Sequence, residues 1–257
     1  MIRYGRYGDR RFLGPAAAKV AMSTQPNPTL QQSFEELSAT VPAIIGLAVA
    51  APGRTDASAL GRWSTGVAWS TIKVPLVIAA LRRDRSRAKD LAVNAITESD
   101  NVAAEVLWSQ LGDPADAARQ VQTVLREAGD ADTVVESRRL RPGFTAFGQT
   151  RWPLDRQAWF AAHLPGLAGA VGVTDLMHQL CSDHRWGLAA KGVAAKGGWG
   201  PGNAGDYLVR QFGFFPTESG YAGVALAAQT AKFQTGVDVL NRMTDWLVNH
   251  FRELTGQ

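Results

Sequence analysis

The chain has 257 residues, 46% of them apolar and 19% charged, which is ample for one compact core and excludes disorder as the main state. No run of about 18 apolar residues exists, so a membrane-spanning helix is not expected. The net charge of +4 is diffuse apart from an Arg-rich start and the stretch Arg82 to Arg87, which argues against a nucleic-acid footprint, and the single cysteine, Cys181, excludes a disulfide framework or a Cys-based zinc site within one chain.

Residues 1 to 27 carry Gly, Pro and four Arg with no period and are read as a disordered tail or a misassigned start. Arg10-Arg11-Phe12-Leu13 is a faint likeness of a twin-arginine export signal, but the apolar stretch behind it is short and broken by Lys19. Leu30, Phe34, Leu37 and Val41 then stand at helical spacing, and Pro42 stops that helix. Ile44 to Ala51 reads as a buried strand and residues 57 to 66 as a second short one. Ser70 to Arg83 is a buried helix with Val74, Val77, Ile78 and Leu81 on one face. Asn101 to Leu111 is a helix of mixed faces, and Asp113-Pro114 caps another that reaches about Ala128. Residues 131 to 149 form a long loop, followed by helices over 154–163 and 175–181. Three strand-like runs (192–200, 207–215, 221–229) have short connections and are therefore antiparallel. A helix over 233–251 closes the chain, with Val237, Leu240, Met243 and Leu247 along one side. Strands at both ends of the sequence must join into one sheet, because neither set buries its faces alone. Terminal helices cover one face and the central helical block the other.

Three short motifs carry chemistry. In Ser70-Thr71-Ile72-Lys73 a hydroxyl at a helix start shares a face with an amine one turn on. Such an amine can take the serine proton only if burial or nearby positive charge disfavours its ammonium form, and the flanking Trp69, Ile72, Val74 and Pro75 suit that need. Ser99-Asp100-Asn101 precedes a helix; a hydroxyl there can relay a proton, and the Asn amide can hold a substrate amide or the lysine. Read alone, the tripeptide is an ordinary helix cap. Lys196-Gly197-Gly198 sits in a strand, where glycine permits close approach of backbone or ligand and the lysine supplies positive charge.

Taken together and in this order, the three motifs resemble those of the serine β-lactamases and penicillin-binding D,D-peptidases: Ser-x-x-Lys, Ser-Asp-Asn and Lys-Thr/Ser-Gly. STIKVPLVIAAL (70–81), AITESDNVAAEVLW (95–108) and the run GVAAKGGWG with DYLVRQFGFF extend the resemblance, which covers about residues 28 to 255. It implies an α/β fold of the α+β type: an antiparallel five-stranded sheet flanked by helices, with an all-helical lobe. One catalytic domain over 28–257 follows, its sheet lobe formed by 28–68 and 188–257 and its helical lobe by 69–187, with the site between them. By the same resemblance, Ser70 is the acylated nucleophile, Lys73 its base, and Ser99 the relay to the leaving nitrogen. Asn101 holds the substrate amide, Lys196 supports a substrate carboxylate, and the amides of Ser70 and Trp199 form the oxyanion hole. No cofactor or metal is implied. The expected partner is a small-molecule or peptidoglycan-like substrate, the expected state a monomer, and the expected compartment extracytoplasmic.

Two departures bear on substrate and turnover. Gly197 stands where the family has Thr or Ser, so a carboxylate-binding hydroxyl is missing, and Arg210 on the next strand is a candidate to compensate. The family's deacylating Glu-x-x-(Leu)-Asn signature is absent. Glu136 lies at a similar distance past Ser99 and is the candidate base, against the plainer reading of a surface Glu paired with Arg138 or Arg139. The four histidines show no metal spacing, and Asp183-His184-Arg185-Trp186 is placed to line the cleft. KGGWGPGNAG lacks the ending of a phosphate loop.

Overall fold

The computed structural model describes residues 28–256; the readings made for residues 1 to 27 lie outside the described residues. The elements run α1 (Pro28–Ala39), β1 (Ile44–Ala50), β2 (Ser58–Gly61), β3 (Thr65–Val67), α2 (Lys73–Arg83), α3 (Arg85–Thr97), α4 (Asn101–Gln110), α5 (Pro114–Glu127), β4 (Arg151–Pro153), α6 (Leu154–His163), α7 (Val171–Met177), β5 (Ala194–Pro201), β6 (Tyr207–Thr217), β7 (Gly220–Thr230), α8 (Phe233–Asn249) and α9 (Phe251–Thr255). Five strands form one antiparallel sheet in the order β2-β1-β7-β6-β5. Early and late strands meet at β1–β7, where Leu47 faces Leu226.

The sheet's two faces differ in residue size, and this sets what packs on them. Ile45, Leu47 and Val49 of β1 join Val224, Leu226 and Ala228 of β7 against Leu30, Phe34, Leu240, Met243 and Leu247 of the terminal helices. The alternate residues Ala48, Ala50, Ala225 and Ala227 face the helical block. A Cβ on Gly223 would lie 2.0 Å from the carbonyl oxygen of Ala158, so α6 sits directly on the sheet backbone.

The five strands lie where the sequence placed them, with one division. The expected 57–66 strand is two pieces: β2 joins the sheet edge, and β3 pairs with β4 in a separate ribbon. Helix α3 is an addition to the reading. Its buried stripe, Ala88, Ala92 and Ala95, is small and lies among charged residues, and Asp84 caps it by accepting from the amides of Ser86 and Arg87. In α4 the buried face is Ala103, Ala104, Leu107 and Trp108, while Val102 is 73% exposed. Residues 131–149 lack helix and strand apart from a final 3-10 turn, and α7 begins and ends four residues before the 175–181 expectation. The closing helix breaks at His250 into α8 and α9. No helix among the described residues is long and apolar enough to cross a membrane.

Candidate active site

The first motif opens in a 3-10 turn, Trp69–Ile72, that runs into α2. The turn is anchored on both sides: the Ala68 amide donates to the Thr150 carbonyl (2.8 Å), and Thr71 Oγ1 donates to Ala68 O (2.6 Å) while accepting from Gln157 Nε2 (2.9 Å). Trp69 has φ 51° and Ser99 φ 54°, the two non-glycine residues with left-handed backbone among those described. Each such residue costs on the order of 1–3 kcal/mol, and strain of this kind gathers where side chains must be aimed. Here it directly precedes Ser70 and falls on Ser99 itself.

Ser99 is the meeting point. Lys73 Nζ, only 1% exposed as a residue, donates to the Ser99 carbonyl (2.5 Å) and to Asn101 Oδ1 (2.8 Å), with Ser99 Oγ at 3.4 Å. Lys196 Nζ, equally buried, donates to the same Ser99 Oγ (2.9 Å) and to the Gly197 carbonyl (3.0 Å). Asp100 keeps its capping role, accepting from the amides of Val102 and Ala103. Lys73, Ser99, Asn101 and Lys196 are therefore one connected group, on α2, the α3–α4 junction, α4 and β5. Ser70 is half-buried at the head of α2, and its hydroxyl makes no hydrogen bond among the described residues.

The glycines of β5 set how closely this strand approaches the Ser70 turn. A Cβ on Gly198 would stand 2.8 Å from Ala68 O, 2.8 Å from the Ser70 amide nitrogen and 2.9 Å from that of Thr71. These are backbone atoms, so only glycine lets β5 lie against the turn. Trp199 follows on the strand, half-buried, with its ring 4.9 Å from His184 and 5.3 Å from Phe233.

Two buried amines with no carboxylate in hydrogen-bond contact shape the electrostatics. Burial lowers Lys73 from its usual range to about 7, with the charge of Asp100 working weakly the other way. Lys196 falls well below its usual value, first through burial and then through repulsion from Lys73. His184 is lowered by burial and by Lys196. The site thus holds amines able to be neutral near pH 7.

Two candidates from the sequence are engaged elsewhere. Glu136 accepts from Arg138 Nε (3.0 Å), from Nη2 (3.2 Å) and from the Arg138 amide (2.8 Å), and this pairing holds its carboxyl below the usual range. Arg139 pairs instead with Glu105. Arg210 stands opposite Gly198 and shares its face of the sheet, yet its side chain is taken up by the β3–β4 ribbon and α6 rather than by the Ser70 group. Its guanidinium is fully buried and donates to the carbonyls of Gly66, Val67 and Trp152 and to Gln157 Oε1, which ties β6 to the β3–β4 ribbon and α6. Side chains alternate along a strand, and β6 sends the even-numbered ones away from α8.

Trp186, which the sequence placed at the cleft with residues 183–185, packs against Gly197, a contact that sequence reasoning missed. A Cβ on Gly197 would meet its indole at 2.7 and 2.8 Å. The ring fills the volume where a Thr or Ser side chain would begin. No local signal in the sequence links positions 186 and 197; only the chain path brings them together.

No family model matches the chain, and no curated protein matches it. Solved structures do. A class A β-lactamase from Mycobacterium abscessus superposes with TM-score 0.67 at 17% identity, covering 86% of this chain and 99% of that one. One from Bacteroides cellulosilyticus gives TM-score 0.69 at 13% identity, covering 91% and 99%. The chromosome-encoded β-lactamase of Vibrio parahaemolyticus gives 0.64 at 14% identity, covering 87% and 99%. With the sheet order and the three motifs already meeting at one place, the chain has the fold of the class A β-lactamases.

Proposed function

We propose that the protein is a serine hydrolase that forms an acyl-enzyme on Ser70, acting on β-lactams or related amides and esters. The observation that carries this reading is the buried Lys73, lowered to about 7 and hydrogen-bonded within the group centred on Ser99. A neutral amine has two N–H bonds and one lone pair. The short donations to Ser99 O and Asn101 Oδ1 use both N–H bonds and leave the lone pair to accept the Ser70 proton.

In the proposed reaction the Ser70 oxygen adds to the substrate carbonyl carbon as its proton passes to Lys73 Nζ. The carbonyl oxygen gains the negative charge and is held by the amides of Ser70 and Trp199. Collapse of the adduct breaks the carbonyl C–N or C–O bond, and the proton reaches the leaving atom through Ser99, whose Oγ is bonded to Lys196. Asn101 and the β5 backbone at Gly197, Gly198 and Trp199 position the substrate. Water must then release the acyl group. Glu136 is occupied by Arg138, which supports slow deacylation and a site closer in behaviour to a D,D-peptidase or esterase, the second reading. The resemblance makes an extracytoplasmic, peptidoglycan-like substrate part of this proposal. A non-catalytic binding protein of the same fold is the alternative that Gly197 and the engaged Glu136 favour.

Intact-protein mass spectrometry with several β-lactams and a fluorophosphonate or activated-ester probe tests this. A mass increase on the wild-type chain, lost in Ser70→Ala, is expected. No adduct with any probe overturns the enzymatic reading, and peptidoglycan-fragment binding that survives both Ser70→Ala and Lys73→Ala supports the alternative.

A further inference from the structure

A cavity ≈ 420 Å³ in volume lies beside the Ser70 turn. None of Ser70, Lys73, Ser99, Asn101 or the segment 196–199 lines it. Its walls come from the β3–β4 ribbon, the end of the 131–149 loop and the turn between β5 and β6. The residues that give it chemical character are Trp63, Trp69, Arg141, Gln149, Arg151 and Asp206.

Two of the residues lining this cavity carry N–H donors that the protein leaves unpaired. Gln149 is 5% exposed and Trp69 7%, and the Nε2 of the first and the Nε1 of the second are buried without an acceptor. A buried donor left unpaired is expensive, and such groups concentrate where something else is to be bound. Arg141 spends one N–H on the Pro201 carbonyl (2.7 Å) and lays its guanidinium over Phe144 (4.5 Å) and Trp69 (5.7 Å), which fixes it at the cavity wall. Arg151 is exposed and forms no ion pair among the described residues. Asp206 is the one acidic group on the wall; its carboxylate already accepts from Gln229 Nε2 (2.5 Å), and its backbone carbonyl accepts from the Gly202 amide. Two arginines and the two residues that carry unpaired, buried N–H donors thus line a cavity whose single carboxylate is already bonded. The remaining walls are flat and aromatic at Trp63 and Trp69, and the volume is within the range of small-ligand pockets.

We propose that this cavity binds a small carboxylate carrying a planar apolar group, its anionic end on Arg141, Arg151 and the Gln149 amide and its ring against Trp63 and Trp69. The site is separate from the Ser70 group and does not depend on the acyl-transfer reading. It touches that group only through Trp69, the residue before Ser70, and through the end of β5.

Calorimetric titration with phenylacetate, acetate and benzyl alcohol separates charge from ring, and the indole N–H resonance of Trp69, assigned with Trp69→Phe, reports position. Phenylacetate is expected to bind one to one, to move the Trp69 resonance, and to lose at least about tenfold in affinity in Arg151→Gln and in Gln149→Leu. Arg151 is exposed, so its replacement leaves folding intact, which circular dichroism checks. Binding is expected to survive Ser70→Ala and prior acylation of Ser70. Three results would each overturn the proposal: no saturable binding up to about 10 mM; binding of benzyl alcohol as tight as that of phenylacetate; or binding blocked by acylation of Ser70 but indifferent to Arg151→Gln and Gln149→Leu.

Discussion

The protonation of Lys73 gives the sharpest test of the proposed chemistry. Its pKa of about 7 means that the neutral, proton-accepting form grows as pH rises. About one molecule in eleven carries it at pH 6 and about ten in eleven at pH 8, so Ser70 acylation is expected to rise about tenfold across that interval with a midpoint near 7. Replacing Asp100 by Asn removes the one nearby charge that favours the ammonium form, so the midpoint moves to lower pH and acylation at pH 6 increases. The α4 cap survives, because Asn accepts the amides of Val102 and Ala103 as Asp does. Lys196 is suppressed by the charge on Lys73, so the observed midpoint belongs to the pair. The assay is single-turnover acylation by an activated ester, followed by quench and mass measurement at a series of pH values. A flat profile between about pH 6 and pH 8, or a midpoint that stays or rises in Asp100→Asn, refutes Lys73 as the base.

Other substitutions test the surrounding architecture. Gly198→Ala pushes a methyl into three backbone atoms of the Ser70 turn and is expected to abolish acylation at a cost of about 1–3 kcal/mol in denaturant unfolding, whereas Gly172→Ala, with nothing within 4 Å, lowers neither. Gly197→Thr does not restore a family-like site, because the side chain meets the Trp186 indole; melting temperature falls and β-lactam acylation does not rise unless Trp186 is made smaller. Arg210→Met strands two buried and two half-buried acceptors and is expected to cost at least about 2 kcal/mol, a fall of roughly 4–8 °C in melting temperature by calorimetry. Glu136→Gln, which removes only a carboxylate bonded to Arg138, is expected to change the deacylation rate measured by acyl-adduct decay less than about twofold.

Periodicity and motif order made much of this protein legible in one dimension. The unbroken apolar run at 44–51 marked a strand buried on both faces, and it is the second strand of the sheet, covered on each side. The three motifs pointed to Ser70, Lys73, Ser99, Asn101 and Lys196 because each pairs a reactive group with a local element that aims it. Helix α3 escaped because alanines at 88, 92 and 95 bury little area among charges, so its stripe is weak beside the strong one of α8. Glu136 paired with Arg138, two residues on, as its plainer sequence reading had it; tertiary structure alone decided two further things: that Arg210 is taken up by the β3–β4 ribbon and α6, and that Trp186 stands in the space beside Gly197. Each depends on how distant segments are brought into register, and a linear sequence records side-chain identity and local spacing but not which remote atom shares the volume next to a given Cα.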